Sequence, residues 1–469
     1  MLTRRQWLLG SSAALIAAAA PRLAWSRTEA DVIVIGAGLS GLNAALILER
    51  EGLKVTVLEA QQRLGGRLWT LDELPGRPEA GGQTIGASYG RVRSMAARLG
   101  LGLVDEPIVT GVSDRRGALY RINGQTVRQQ DWAGANANLT QGDERAVGPA
   151  GLGSFYDSKM ERLADREAWL DPAVIQRLDG SLAEGLTRAG ASPEARRLIS
   201  ANLNGNGIHS FSALQAARAS IILRSGPGAT SSVSGGNQRL PEAMAASLRG
   251  AVRLGEAVAG ISEEPGLVRV RLASGRTLQA PQVICTLPFA ALRQLPLDGA
   301  FGPALATDIA ALGYTRVSFV FLKAKTAFWQ HDGLPDTVWS DDPLLGRVFV
   351  ASQDPPVLKT WLYGPFADHL DRLPEAQAGA ETIRRLEAAR PSALGQLSVA
   401  RVFSWCKVPW ARGIYHHMMP GQGASHAAAV NAVGQRLHFA GEHMARVHSG
   451  MEGAMEAGER VAQRVLRLR

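Results

Sequence analysis

The chain has 469 residues, 46% of them hydrophobic, enough for a large core and about two domains of ordinary size. Its formal charge is +9, but the basic residues are scattered and nearly all arginine, which fits a solvated Arg-rich surface and argues against nucleic-acid binding. Cys285 and Cys406 have no near cysteine partner and "YHHMMPG" holds a lone His pair, so no metal site is expected.

The first element in the chain is "TRRQWLLGSSAALIAAAA" (residues 3–20). Arg4 and Arg5 precede the apolar run Leu8 to Ala20, and "AWS" (Ala24 to Ser26) offers a small-residue cleavage site. That arrangement reads as a twin-arginine export signal over residues 1–26, which places the mature protein in the periplasm or beyond. Its removal takes away Arg4, Arg5 and Arg22 and no acid, lowering the charge from +9 to +6. A spanning helix needs ~20 apolar residues, so this run is too short to span comfortably, and no later segment qualifies. No stable membrane anchor is expected.

"DVIVIGAGLSGLNAALILEREGLKVTVLEA" (Asp31 to Ala60) is a strand–helix–strand unit. Gly36, Gly38 and Gly41 make the tight turn, let the backbone approach a pyrophosphate, and let the helix pack on the strand. The helix N-terminus then faces the phosphates with free N–H groups. Glu59 ends the second strand at the spacing where an acid takes ribose hydroxyls. This unit does not separate NAD from FAD. "QQRLGGRLWT" follows and brings Arg63 and Arg67 around Gly65 and Gly66, guanidinium groups suited to a pyrophosphate.

Further along, "DWAGANANLTQGDERAVGPAG" (131–151) reads as a loop, either a lid or a mobile surface excursion. "PEARRLISANL" and "PEAQAGAETIRRLEAA" read as helices with Pro near their starts, "LVRVRLA", "QVICTL" and "GYTRVSFVFLKAK" as strands. Cys285, inside an apolar run, is expected to be a buried free thiol. "LHFAGEHMARVHSGMEGAMEAGERVAQRVL" gives a strand, Gly441-Glu442, a loop, and a helix starting near Gly450 to Glu452.

The opening unit, the "GGR", the mid-chain "SGGNQRLPEAMA" with "GEAVAGI", and this ending together resemble the flavin-dependent amine oxidase family: monoamine, polyamine and L-amino-acid oxidases. The resemblance spans residues 31 to 462. It implies an α/β fold, in which an FAD-binding Rossmann-like domain of the GxGxxG flavoprotein type (31–90, 228–300 and 432–469) is interleaved with an α+β substrate domain (91–227 and 301–431). The implied cofactor is FAD, with Glu59 on its ribose, Val258 in the strand at its adenine, and the helix at Gly450-Met451-Glu452 aimed at the flavin's pyrimidine end. Gly66, Gly441 and Glu442 join the same set. Because segments from both ends of the chain would hold FAD, loading before export explains a pathway that carries folded proteins.

The implied reaction oxidises a small-molecule amine to an imine by hydride transfer to flavin N5, with reoxidation by O2 or by a carrier such as a periplasmic cytochrome. "VPWARGIYHHMMPG" resembles the segment carrying the family's aromatic wall, which makes Tyr415 the wall and puts Trp410 beside it. Ile414 stands where some members carry a cysteine bonded to FAD, so non-covalent FAD is implied. Two departures stand out. Gly450 occupies the position of a second aromatic wall, with His448 and Met451 as candidates to fill the gap. Arg316, in "YTR", stands for the family's lysine near N5, where it would keep a charge but not exchange a proton. An L-amino-acid oxidase is the near alternative and would need a basic residue for the carboxylate, such as Arg91 or Arg93. Desaturases and porphyrinogen oxidases of the same fold, and a flavoprotein used only for electron transfer, complete the alternatives.

Overall fold

The computed structural model describes residues 30–106, 117–224, 226, 230–299 and 301–468, so the expected export signal lies outside the described residues. The first strand, Val32–Ile35, is buried along its whole length. It pairs in parallel with Val55–Leu58 on one side and Gln282–Cys285 on the other. Val252–Arg253 and Leu437–Phe439 extend the sheet outward to five strands, again in parallel. A parallel sheet covered on both faces needs continuous apolar runs, which is why "VIVI" and "VTVL" show no alternation. A four-stranded sheet, including Val258–Glu264 and Leu267–Leu272, packs beside it.

The helix Leu39–Arg50 lies against the last helix, Gly450–Arg467, so the two ends of the chain meet. Gly458 permits this, because a Cβ there would collide with the Ser40 carbonyl oxygen. Asn43 Nδ2 donates to the Met455 carbonyl at 2.9 Å across the same contact.

A third sheet, of seven strands, is largely antiparallel and runs in the order Leu397–Ser404, Val317–Ala324, Val357–Tyr363, Arg347–Ser352, Val338–Ser340, Leu119–Ile122, Gln125–Arg128. Period-two alternation sorts Val317–Ala324. Val317, Phe319 and Phe321 join an aromatic cluster with Trp361, Phe403 and Trp405, while Ser318 Oγ turns the other way and donates to Asp371.

The segment 131–151 differs from the lid or excursion expected of it. Trp132 is 1% exposed, and Glu144 accepts from Ser192 N at 2.8 Å and Ser192 Oγ at 2.5 Å. Buried polar anchors of this kind pin a loop to its neighbours. Cys285 and Cys406 are free thiols, and burial pushes Cys285 up to about 12. Among the described residues no helix is long and apolar enough to cross a membrane.

Candidate functional site

A cavity of ≈ 330 Å³ runs between the parallel sheet and the seven-stranded sheet. Gly36, Gly38, Glu59, Gly66, Arg67 and Val258 line its nucleotide side, and Gly441, Glu442, Gly450 and Met451 close it from the C-terminal segment.

The glycines differ in what requires them. At Gly41 an added Cβ would collide with the Gly36 carbonyl, so protein packing excludes any side chain. Gly41 accordingly does not line the cavity. At Gly38 the nearest protein atom to such a Cβ is 3.9 Å away, so the space is reserved for something other than the chain. Beside it, Ser40 Oγ is buried at the start of the helix with no partner, a hydroxyl awaiting an acceptor. Glu59 accepts from Ala37 N at 2.9 Å and Gln61 N at 3.0 Å, which holds its carboxylate at the turn. A dinucleotide with a pyrophosphate fits this donor set.

Arg63 does not reach the cavity, contrary to the expected pyrophosphate role. Its guanidinium donates to the carbonyls of Leu64, Leu68 and Gly66 and stacks 3.9 Å over Trp69, so it braces the glycine turn from behind. Burial, partly countered by Glu59, lowers it to about 10. Arg67 does line the cavity. It donates to Ile414 O at 2.9 Å and pairs with Glu442 at 3.0 Å, and His416 Nδ1 meets the other Glu442 oxygen at 2.7 Å. Burial alone would raise Glu442, but His416 and Arg67 outweigh it and hold the carboxyl well below the usual range. No side chain caps the last helix at Ser449, and its first two residues, Gly450 and Met451, line the cavity.

The other wall is aromatic. Tyr415 and Trp410 both line the cavity, as do Trp405 and Phe319. The Tyr415 hydroxyl donates to Asn204 O at 3.1 Å, and burial, reinforced by Tyr363, pushes it well above its ordinary value, so it stays protonated. Sequence reasoning missed Lys359, Trp361 and Tyr363, which line the same wall. They sit at positions i, i+2 and i+4 of one strand, the spacing that puts side chains on one face.

Arg316 is not in this wall, and the expectation for it is corrected. It shares the parity of Ser318, so its side chain faces the helix Pro365–Asp371, where Nε pairs with Asp368 at 2.7 Å in a half-exposed contact. Phe319 takes the cavity side. The cavity's lysine comes from the neighbouring strand. Lys359 is 2% exposed, its Nζ donates to the Glu79 carbonyl at 2.5 Å, and it lies 4.2 Å over the Phe319 ring. Burial lowers its ammonium to about 7, against the opposing pull of Glu79.

Other expected positions also move. Met451 lines the cavity with its side chain against Gly82, and the atom nearest a Cβ at Gly450 is Tyr89 Oη, while His448 is turned to Arg166 at 2.7 Å and is not in the lining. Arg91 pairs with Glu452 and Glu459, and Arg93 donates to Gly86 O and Ser231 Oγ, so neither reaches the cavity. A wider groove of ≈ 1000 Å³, lined in part by Arg188, Arg196, Arg197 and His209, shares Tyr363 with the cavity.

A family model described as flavin containing amine oxidoreductase matches residues 39–466. The chain is 28% identical to the L-amino-acid oxidase of Mus musculus, an alignment covering 92% of this chain and 70% of that protein. It is 26% identical to the flavin-dependent L-tryptophan oxidase RebO of Lentzea aerocolonigenes, covering 92% and 97%. Among solved structures, cyclohexylamine oxidase from Brevibacterium oxydans superposes with a TM-score of 0.77 at 25% identity, covering 93% of this chain and 99% of that one.

Proposed function

The chain belongs to the flavin-containing amine oxidoreductase family, with FAD as cofactor, and on that premise we propose that it oxidises a small-molecule amine to an imine. Water then releases an aldehyde or ketone and ammonia or an amine. Bound FAD supplies the hydride acceptor. Gly36, Gly38 and Ser40 would hold its pyrophosphate, Glu59 its ribose, and Val258 would lie by the adenine. Arg67, Gly441, Glu442 and the helix end at Gly450-Met451 would hold the flavin side. No cysteine is among the cavity-lining residues, which supports non-covalent binding.

The observation that carries this reading is the aromatic wall with Lys359 set into it. Tyr415, Trp410, Trp361 and Tyr363 present rings that orient an amine's α-carbon and exclude water. Ring faces also suit an amine with residual positive charge. Lys359 Nζ takes the role expected of Arg316 and, titrating at about 7, can hold or release a proton where a guanidinium cannot. Desaturation of an apolar substrate would not call for such a wall.

Reoxidation by O2 or by a periplasmic electron carrier, export by the twin-arginine route, and the interleaved cofactor and substrate domains with the boundaries given above complete the proposal. Product analysis tests it. Turnover with an amine should release ammonia or amine and a carbonyl compound in equal amounts. Oxidation without nitrogen release would reject it.

A further inference from the structure

The aromatic wall has a charge behind it. Arg347, in the strand Arg347–Ser352, is 7% exposed. Its guanidinium lies 5.1 Å from the Trp339 ring, 5.5 Å from Trp361 and 5.1 Å from Tyr363. It donates to Asn204 Oδ1 and shares a hydrogen bond with the Tyr363 side chain. Among the described residues no carboxylate pairs with it. A cation removed from water without an anion is costly, and rings and an amide offset only part of that cost.

Asn204, Trp361 and Tyr363 all line the cavity, and Tyr363 hydrogen-bonds in turn to Tyr415. Lys359 adds a second buried basic group to the same wall. The acids nearby are otherwise engaged. Glu79 backs Lys359, Glu442 is held by Arg67 and His416, and Glu59 and Glu256 border the nucleotide side with Val258. A wall with two basic groups and no acid of its own repels a bare ammonium and attracts an amine that also carries an anion. The outer groove that meets the cavity at Tyr363 adds Arg188 and Arg196, with Glu184 among its lining, while its Arg197 is already paired with Glu194 and Asp341.

We infer that the substrate is an amine bearing a carboxylate, an amino acid, and that Arg347 is the positioning residue that selects it, acting through Tyr363 and Asn204. The inference rests on the amine-oxidation reading above.

Matched pairs test it. The holoenzyme is mixed anaerobically with phenylalanine or phenethylamine, and with leucine or 3-methylbutylamine, and flavin bleaching is followed. Separately, calorimetry compares 3-phenylpropanoate with its neutral amide. Wild type should bleach faster with the amino acid of each pair and bind the acid about 10-fold tighter than the amide, the range of a charge acting across an intervening side chain. Arg347→Gln should bring that ratio within about threefold and raise the amino acid's KM far more than its kcat, with Arg347→Lys restoring part of both. A wild-type preference for the plain amine, or no preference for the acid over the amide, overturns the inference, as does an Arg347→Gln effect equal on both members of a pair. The wild-type comparison decides even if the variant does not fold. No bleaching by any of the four compounds, with the acid still preferred, would instead remove the amine-oxidation reading.

Discussion

Lys359 Nζ lies 4.2 Å over the ring of Phe319, two strands meeting so that an ammonium from one covers an aromatic face from the other. The wall thus acquires its basic group from Val357–Tyr363, not from the strand in which "YTR" leads to Phe319. Lys359→Met removes a group titrating at about 7. The pH profile of anaerobic flavin reduction by the best amine should lose an inflection near that value, and kcat/KM should fall about 10- to 100-fold. Stopped-flow spectroscopy from pH 6 to 9 reads both.

The same group makes stability depend on pH with a definite sign. Folding lowers the Lys359 pKa from 10.5 to about 7, so between those values the unfolded chain binds a proton that the folded chain does not. This contribution makes wild-type stability rise with pH across that window, its destabilising effect being complete below about 7. Lys359→Met should therefore gain most over wild type near pH 6.5 and lose that advantage towards pH 10.5, as measured by paired thermal melts.

Two glycines, three and six residues past the end of the strand Val32–Ile35, separate fold from cofactor. Gly38→Ala should give soluble, folded protein with little flavin, because its Cβ enters space the chain leaves open. Gly41→Ala should fold poorly, because its Cβ strikes the Gly36 carbonyl. The ratio of visible to ultraviolet absorbance, alongside circular dichroism, distinguishes the two.

At Tyr415 the ring matters more than the hydroxyl. Tyr415→Phe loses the hydroxyl's hydrogen bonds to Asn204 O and to Tyr363 and should keep activity within about 10-fold. Tyr415→Ala opens the wall to water and should cost about 100-fold or more in kcat/KM. Steady-state kinetics of the pair checks the order.

Arg316 supplies the contrasting case. Its partner Asp368 is more than a third exposed, as is Arg316 itself, and such pairs contribute about 0–1 kcal/mol. Arg316→Lys should leave both half-reactions within about twofold of wild type. A large change in either would return Arg316 to the site.

The nucleotide side is legible in the sequence because its geometry is local. Gly36, Gly38 and Gly41 act within one turn, and Glu59 follows one strand later. The substrate wall is not local. Trp361 and Tyr363 meet Tyr415 only through a strand order in which Leu397–Ser404 and Val357–Tyr363 flank Val317–Ala324. Nothing in "VLKTWLY" distinguishes a half-buried strand from a cavity wall until its neighbours are known. Arg316 shows how fine the margin is, since a strand sends adjacent residues to opposite faces and a shift of one residue exchanges cavity for surface. Arg347 is hidden for the same reason, its ring cage being assembled from two strands other than its own.

The central claim is that this cavity brings an amine to the flavin. The purified holoenzyme, mixed without oxygen with a panel of amines and amino acids, should lose its flavin absorbance with one class of them, and admitting air or a redox carrier should restore it. A flavin that dithionite reduces but that no amine or amino acid bleaches would contradict the account.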